Sequence, residues 1–457
     1  MRIAVVGGGI SGLVAAYRLR QALGADADLT VIEGRDRLGG VLRTGTVGGE
    51  PIDLGAEAFV GRRPEVPALL RELGIAGQLV HPAGLRPLIW AGGRTHPLPE
   101  RTLMGIPSGP ESVAGLLDAG TVARIADEPV RPFSWRPGAD IEVSSLVADR
   151  FGAQTVARSV DPLLGGVYAG TASSIGLRAA LPTLAAALDR GATSLTAAVS
   201  ATLPPPSDAP VFGALRDGYG VLLRALAEQT AATVTRDTEV AALRRVAGRW
   251  RVDPVGEFDA VVLATPAPVT ARLLTGIAPA AARAAAGIEL SSSALVVLEL
   301  PKDTALPLNS GVLVATGESL RAKAFTLSSR KWPHLAARDT AVVRVSFGRF
   351  GDDTAVALPD DDLVAVATAD LATVTGVPIV PLSAAVQRWP GGLAQYAPGH
   401  TERVAEIESA VAGFGDLAVT GAYLHGVGVP ACVAAATTAA HHIATAAADT
   451  GSRADAP

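Results

Sequence analysis

A glycine-rich turn near the start of the chain constrains the possible folds more than any other stretch. The apolar run from Arg2 to Val6 leads directly into Gly7, Gly9 and Gly12, and apolar residues then recur at helical spacing. This pattern predicts a strand, a tight turn and a helix. Gly7 permits the turn, Gly9 lets a pyrophosphate approach the backbone, and Gly12 lets the helix pack closely on the strand. The partial positive charge of the helix N-terminus would stabilise the phosphates.

A second apolar run, Leu29 to Ile32, ends in Glu33. This carboxylate lies about twenty residues after the last glycine of the turn, where it can accept hydrogen bonds from a ribose. The two features together predict dinucleotide binding. The glycine turn taken alone is also compatible with an ordinary strand-to-helix corner.

A glycine doublet follows the acidic residue. Gly34, Arg37, the pair Gly39-Gly40 and Val41 come directly after Glu33. This arrangement resembles an extension seen in the large flavoprotein group that includes amine oxidases, phytoene desaturases and protoporphyrinogen oxidases. In that group the extension runs past the pyrophosphate of FAD, so the resemblance favours FAD over a nicotinamide cofactor.

Two further segments resemble flavin-binding parts of the same group. The strand from Glu50 returns into a glycine turn, and the loop from Gly55 to Ala58 is similar to the segment that passes the flavin ring. Near the C-terminus a strand ends at Gly421, and Val427 to Val429 precede a helix that opens with Pro430. This second positive helix end would face the flavin pyrimidine, where negative charge accumulates on reduction.

Composition excludes several classes of protein. The 457 residues carry a formal net charge of −5 and one cysteine, Cys432. One thiol excludes an internal disulfide and any metal site that needs more than one thiolate, and we expect it to be buried and structural. The histidines lack metal-ligand spacing, so no metal is predicted. The mildly acidic charge offers no footprint for nucleic acid.

The location of the protein is inferred from two sequence features. The first strand begins at Arg2, which leaves no room for a signal peptide, and no stretch reaches about eighteen consecutive apolar residues. We therefore expect a cytoplasmic protein without a transmembrane segment. Peripheral contact with a membrane stays open.

The chain is longer than a single core usually allows, so two domains are expected. The predicted fold class is α/β: a Rossmann-like FAD-binding domain of the amine oxidase and glutathione reductase type, with an inserted substrate domain of mixed sheet and helices. The predicted pieces are 1–84, 209–288 and 401–448 for the FAD-binding domain, 85–208 (mostly helical) and 289–400 (mixed sheet) for the substrate domain, and 449–457 for a disordered tail.

Nearly the whole chain resembles the bacterial, oxygen-using, FAD-dependent protoporphyrinogen and coproporphyrinogen oxidases. The more specific marks of this resemblance are Leu103–Pro107, Asp161–Gly170, Ser329–Pro333, Arg388-Trp389, Gln395–His400 and Tyr423–Cys432. Two positions depart from the pattern. Glu57 occupies a position that is basic in some relatives, and Ala431 replaces an acidic residue that is usual before the cysteine, so the resemblance implies no role for those two side chains.

The resemblance implies a porphyrinogen that is oxidised in three two-electron steps, with hydride transfer to non-covalently bound FAD and reoxidation by oxygen to give hydrogen peroxide. The high alanine and arginine usage suggests an actinobacterial source, for which the resemblance favours coproporphyrinogen III over protoporphyrinogen IX. Hand-over of product to the next haem-pathway enzyme is an open expectation.

Two kinds of alternative function stay open. One is an amine oxidase or polyene desaturase of the same fold, and the other, which is not an enzyme, is a cofactor-free binding protein of the escort type. An escort protein should lack the intact glycines and ribose carboxylate that are present here.

The residues assigned to the site follow from the motifs and the resemblance. The expected cofactor-binding residues are Gly7, Gly8, Gly9, Ile10, Ser11, Gly12, Glu33, Gly34, Arg37, Gly40, Val41, Gly55, Ala56, Glu57, Ala58, Val240, Trp389, Gly421, Val427, Gly428 and Val429. Cations would bind the propionates, and tyrosines could stack on the macrocycle or pack in the core. The candidates for substrate binding are Arg43, Arg62, Arg63, Tyr168, Lys331 and Tyr423. No residue is assigned as catalytic.

Overall fold

A five-stranded parallel sheet forms the centre of one half of the molecule. The computed structural model describes residues 1–205, 207 and 209–454, with side chains described through residue 448. In spatial order the strands of this sheet are Thr233–Thr235, Asp28–Ile32, Arg2–Val6, Ala260–Leu263 and Leu417–Val419. Every neighbouring pair is parallel. The central strands are apolar on both faces because helices and further structure cover both sides.

A seven-stranded mixed sheet forms the other half. In spatial order its strands are Ser383–Ala394, Leu290–Pro301, Thr340–Phe347, Ala324–Thr326, Gly311–Val314, Leu88–Ala91 and Arg94–Pro97. The pair that aligns Val312 with Leu88 is parallel, and the other pairs are antiparallel. The hairpin that turns at Gly92-Gly93 therefore pairs with a strand that lies more than 200 residues later in the chain.

The remaining strands are short and form hairpins or small sheets around these two. They are Thr44–Val47, Glu50–Asp53, Phe59–Val60, Leu79–Val80, Thr102–Leu103, Ile106–Pro107, Phe212–Leu215, Ala242–Val246, Arg249–Asp253 and Gly256–Phe258.

The helices cover both sheets. They are Ile10–Leu23, Glu65–Glu72, Ala119–Ala126, Val143–Phe151, Ala153–Thr155, Asp161–Tyr168, Leu177–Ala180, Pro182–Asp189, Leu195–Thr202, Tyr219–Thr230, Ala267–Leu274, Pro279–Ala286, Ser328–Lys331, Pro333–Ala336, Asp360–Thr375, His400–Ala412 and Val429–Ala454. The long helices Ile10–Leu23 and Val429–Ala454 pack along one another over the parallel sheet. Helix Asp360–Thr375 covers one face of the mixed sheet. Together with the mixed sheet, these helices confirm the predicted α/β class.

A π-helix over Val156–Val160 leads into Asp161–Tyr168 and packs against the turn at Gly105. Both of these neighbours belong to segments that carry the family resemblance. Gly105 has a φ of +84°, and a Cβ at this position would lie 2.1 Å from the carbonyl oxygen of Ser159. The Ser159 hydroxyl donates to the Gly105 carbonyl at 2.6 Å. The turn around Gly105 thus packs directly on the helical segment that continues into Asp161–Tyr168.

The structure differs from the sequence expectation at the C-terminus. The last helix extends to Ala454, past residue 449 where the tail was expected to begin. Residues 455–457 of the predicted tail, and the predicted domain boundary at 208, lie outside the described residues. Within the described chain, every helix is too short or too polar to traverse a bilayer.

Candidate active site

The first glycine turn has no space for side chains at two of its positions. Gly7 has a φ of +108°, and a Cβ there would lie 2.4 Å from the Ala264 carbonyl oxygen. A Cβ on Gly12 would lie 1.8 Å from the Gly7 carbonyl oxygen. Gly9 is different, because the nearest atom to a Cβ there is the Gly40 Cα at 3.8 Å. Gly7 and Gly12 therefore serve the turn itself, whereas Gly9 leaves room beside the backbone.

The acidic residue at the end of the second strand is held against this turn. Glu33 is buried, with one carboxylate oxygen accepting from the Gly8 amide at 2.7 Å and the other from the Arg35 amide at 2.9 Å. Each oxygen can accept a further hydrogen bond. Gly34 lies beside the backbone of Glu239, which precedes Val240. The structure therefore brings Glu33, Gly34 and Val240 to one edge of the glycine turn.

The glycine doublet packs directly on the first turn. Gly39 donates from its amide to the Gly8 carbonyl at 2.8 Å, and a Cβ on Gly40 would lie 3.2 Å from the Gly9 Cα. The Arg37 guanidinium donates to the carbonyls of Leu38, Gly40 and Leu42 at 3.2, 2.7 and 3.1 Å. Burial and the neighbouring arginines lower the pKa of Arg37. Its observed contacts hold the doublet in shape, and contact with the cofactor stays a prediction.

The loop that was assigned to the flavin ring is fixed from two sides. A Cβ on Gly55 would lie 2.6 Å from the Val41 carbonyl oxygen and 3.3 Å from the Trp389 ring. The Trp389 indole donates to the Leu54 carbonyl at 2.9 Å, and the Arg37 guanidinium lies 5.6 Å from the centre of the same ring. Trp389 therefore joins the mixed sheet to the loop.

The side chain of Glu57 points into the protein rather than into solvent. Its carboxylate accepts from Lys331 at 2.8 Å and from the Trp332 indole at 3.0 Å, and it pairs with Arg344 at 2.7 Å. Burial alone would raise the pKa of Glu57, but Lys331 and Arg344 hold it well below its usual range. Only the backbone of this residue is available to a ligand in the loop.

The N-termini of the two long helices lie side by side. Ser11 and Cys432 lie next to one another, and both residues are in the first turns of their helices. Burial raises the pKa of that thiol to about 11. The first turn of helix Ile10–Leu23 has no acidic residue and no side-chain cap. Gly421 has a φ of +151° in the loop that precedes Val429–Ala454. Two positive helix ends thus converge beside the glycine turn.

These features fit FAD. The space beside Gly9 and Gly40 suits a pyrophosphate, and Glu33 suits a ribose hydroxyl. Val41 is 40% exposed and Ala56 is also exposed, which leaves apolar surface for a flat ring to cover.

Comparison with known proteins gives the family. The sequence model of one protein family, the flavin-containing amine oxidoreductases, matches residues 10–444. The chain belongs to this family. It is an FAD-dependent oxidoreductase, so the predictions of cofactor and enzyme class are confirmed.

Two curated relatives are similar in sequence to almost the whole of this chain. A coproporphyrinogen III oxidase of Mycobacterium tuberculosis is 56% identical over 439 residues, covering 94% of this chain and 95% of the relative. The coproporphyrinogen III oxidase of Mycobacterium leprae is 54% identical over 435 residues, covering 94% and 96%. These similarities confirm the predicted resemblance to the porphyrinogen oxidases.

Solved structures share the fold. A crystal structure from Exiguobacterium sp. 255-15, provisionally described as a protoporphyrinogen oxidase, superposes with a TM-score of 0.86 at 29% identity and covers 97% of this chain and 98% of that chain. Cyclohexylamine oxidase of Brevibacterium oxydans superposes with a TM-score of 0.71 at 15% identity, covering 97% and 98%. The second likeness concerns the fold alone.

The four basic side chains that were predicted to bind the substrate lie in different environments. Lys331 pairs with Glu57, and Arg63 pairs with Glu65. Arg43 is exposed and donates to the Gln387 amide oxygen at 2.6 Å, and Arg62 is exposed. Arg43 and Arg62 therefore keep their charge available to a ligand, whereas Lys331 and Arg63 already contact a carboxylate.

The two predicted tyrosines are buried. Tyr168 is 8% exposed, and its ring centre lies 5.6 Å from that of Tyr396. Burial raises its pKa to about 12. Tyr423 is 2% exposed, and its hydroxyl donates to the Thr270 hydroxyl at 3.5 Å. Both sets of contacts are those of core residues, and a role at the substrate stays a prediction.

Sequence reasoning missed Arg344 and the role of Gln395. Arg344 is 5% exposed and donates to the Gly55 carbonyl as well as to Glu57. Its signal in the sequence is a lone arginine within the apolar strand Thr340–Phe347. Gln395 donates to the Tyr168 carbonyl at 2.7 Å and thereby joins the mixed sheet to the end of helix Asp161–Tyr168. Among the described residues no cluster of three or more ligating side chains could hold a metal.

Proposed function

We propose that this flavoprotein oxidises coproporphyrinogen III to coproporphyrin III in haem biosynthesis, with oxygen as the electron acceptor. The observation that carries this proposal is the 56% identity to the mycobacterial coproporphyrinogen III oxidase over nearly the full length of both chains. The intact glycine turn and Glu33 support an enzyme over a cofactor-free escort protein. Bound FAD supplies the chemistry by accepting hydride and passing the electrons to oxygen.

The reaction balances as three two-electron oxidations. The porphyrinogen loses six hydrogens, and three molecules of oxygen become three of hydrogen peroxide. The part of the protein is to hold the cofactor and the macrocycle: the N-terminus of helix Ile10–Leu23 would bind the phosphates, Glu33 would bind a ribose hydroxyl, the loop Gly55–Ala58 would offer backbone groups to the flavin, and the N-terminus of helix Val429–Ala454 would face the flavin pyrimidine. No side chain is assigned to proton transfer.

Coproporphyrinogen carries four propionates and protoporphyrinogen two. Arg43 and Arg62 are the best placed of the predicted cations to bind them, because both are exposed and neither pairs with a carboxylate in the described part of the chain. Arginine suits this role since its planar fork binds a carboxylate with two hydrogen bonds.

Protoporphyrinogen IX is the second candidate substrate. The protoporphyrinogen oxidase of Macaca fascicularis is 31% identical over 328 residues, covering 65% of this chain and 66% of the relative. Both its identity and its coverage are lower than those of the mycobacterial relatives, which favours coproporphyrinogen.

The domain division into an FAD-binding part (1–84, 209–288, 401–448) and a substrate part (85–208, 289–400) belongs to the same proposal. It is supported by the segregation of strands, since the parallel sheet draws its strands from the first set and the mixed sheet from the second. A cytoplasmic location, peripheral membrane contact and hand-over of product to the next enzyme stay predictions.

The test is oxidation of both porphyrinogens in parallel. Purified protein loaded with FAD is mixed aerobically with anaerobically prepared coproporphyrinogen III or protoporphyrinogen IX, and porphyrin fluorescence and hydrogen peroxide are followed. We expect faster turnover of coproporphyrinogen, with about three peroxides per porphyrin as the reaction balance requires. Faster turnover of protoporphyrinogen would reverse the assignment, and a protein that cannot be reconstituted with FAD would overturn it.

A further inference from the structure

A buried ion triad lies directly behind the loop assigned to the flavin ring. It consists of Glu57, Lys331 and Arg344, whose side chains are 10%, 19% and 7% exposed. The lysine ammonium lies 2.8 Å from one carboxylate oxygen, and the guanidinium lies 2.7 Å from the other. The three residues are spread over almost 290 positions of the chain, and each comes from a different structural element.

Arg344 holds the loop at two points. One of its terminal nitrogens pairs with Glu57, and the other donates to the backbone carbonyl of Gly55. The Nε of the same guanidinium is buried without a hydrogen-bond partner among the described residues. A buried donor that stays unpaired is costly, so the contacts of the two terminal nitrogens with Glu57 and Gly55 must offset that cost.

The triad carries an excess of positive charge. Two cations face one carboxylate, which gives a formal charge of +1 when all three groups are ionised. Lys331 also lies over the Phe212 and Trp332 rings, at 5.6 and 4.9 Å, so the lysine is held by aromatic faces as well as by Glu57. Charge in a poorly hydrated environment acts over a longer distance than charge in water.

We propose that Glu57, Lys331 and Arg344 are positioning residues for the bound flavin. Arg344 and Glu57 fix the backbone groups of loop Gly55–Ala58, and the net positive charge of the triad favours the electron-rich, reduced state of the cofactor. The proposal uses the predicted course of the cofactor along this loop and is independent of which substrate the enzyme oxidises.

The experiment measures the reduction potential of bound FAD and its dissociation constant, both in the absence of porphyrinogen. The variants are Glu57→Gln, Lys331→Gln, Arg344→Gln and the double variant Glu57→Gln/Lys331→Gln. The formal charge of the triad becomes +2 in the first, 0 in the second and third, and +1 in the double variant. We expect the potential to rise in the first, to fall in the second and third, and to return toward the wild type in the double variant. FAD should dissociate more readily from Arg344→Gln, since the Gly55 carbonyl loses its donor.

A matched control is Arg86→Gln. Arg86 is an exposed arginine that pairs with Glu100, and it is not part of the triad. This variant should leave both the potential and the FAD affinity unchanged. If Arg344→Gln does not fold, the Lys331→Gln and double variants decide the question.

The proposal is overturned if the potentials of the folded single variants equal that of the wild type. It is equally overturned if thermal stability falls while potential and FAD affinity do not change, because the triad would then be structural only. Failure of the protein to oxidise coproporphyrinogen would refute the proposed function but would not affect this measurement, which needs no substrate.

Discussion

The indole nitrogen of Trp389 donates a 2.9 Å hydrogen bond to the carbonyl oxygen of Leu54, from a position 335 residues later in the chain. This bond joins the mixed sheet to the residue that precedes the flavin loop. The same ring lies where a side chain on Gly55 would otherwise extend. The relationship explains how the two halves of the molecule meet at the candidate site.

Trp389→Phe is expected to weaken FAD binding by about threefold to tenfold, because one buried hydrogen bond contributes roughly 0.5–1.5 kcal/mol. The dissociation constant is measured by titrating apoprotein with FAD and following the quenching of its fluorescence. Trp135→Phe is the matched control, since the Trp135 indole makes a hydrogen bond of the same length to Asp189, in the helical segment. Equal FAD affinities of the two variants would contradict the role given to Trp389.

Gly12→Ala is expected to abolish stable FAD binding. The added methyl would lie 1.8 Å from the Gly7 carbonyl oxygen, so the helix must move away from the turn that would face the pyrophosphate. Overpacking of this kind costs about 1–3 kcal/mol of folding stability. The purified protein should be colourless and should melt at a lower temperature than the wild type. Gly77→Ala serves as control, because no atom lies within 4 Å of a Cβ there. A yellow Gly12→Ala protein with normal stability would refute this explanation.

Glu33→Gln is expected to reduce FAD affinity by roughly tenfold or more, since a hydrogen bond to a charged group contributes about 1.5–3 kcal/mol. The neutral amide is a weaker acceptor for a ribose hydroxyl. Isothermal titration of the apoprotein with FAD gives the comparison. Glu239→Gln is the control: this carboxylate is 81% exposed and lies in the neighbouring segment. An unchanged dissociation constant in Glu33→Gln would exclude the ribose contact.

Lys323 is expected to make stability depend on pH above neutrality. Its ammonium donates to the Gly348 carbonyl at 2.7 Å, and burial together with Arg349 lowers its pKa to about 7 from 10.5. Between these two values the unfolded chain holds the proton more tightly than the folded chain, so this residue makes stability rise as pH rises from 7 toward 10.5. Below pH 7 both states are protonated and the contribution no longer changes.

Lys323→Met should remove this rise. The melting temperature of the variant minus that of the wild type is therefore largest at pH 7 and decreases toward pH 10, as the wild type gains stability. The melting temperature is measured at half-unit steps of pH. The control is Lys302→Met, which replaces an exposed lysine next to the same sheet. The melting temperature of this variant should change with pH as that of the wild type does. A constant difference between Lys323→Met and wild type across the range would show that Lys323 does not titrate as described.

Much of the FAD-binding half could be predicted from local sequence. The turn at Gly7 requires a φ that glycine adopts readily, and the strand that precedes it is an apolar run. The strands Thr340–Phe347 and Gly311–Val314 were also predictable, because their apolar and β-branched runs are bounded by turns. These properties belong to a few neighbouring residues, so they can be read without knowing the fold.

The partners of the site residues could not be predicted in this way. Lys331 was assigned to the substrate, but its nearest carboxylate is Glu57, which lies 274 positions earlier in the chain. Arg344 and Gly55 meet across 289 positions. No local pattern encodes which face of a strand meets which loop once two sheets pack together.

The sequence by itself determined the cofactor class, because glycine conformation, apolar periodicity and the spacing to Glu33 are local. Only the tertiary structure decided which charged side chains remain available to a ligand. Glu57 is buried together with Lys331 and Arg344, since an unpaired carboxylate in a poorly hydrated site would be too unstable to persist. Arg43 and Arg62 stay exposed because the same packing leaves them at the surface.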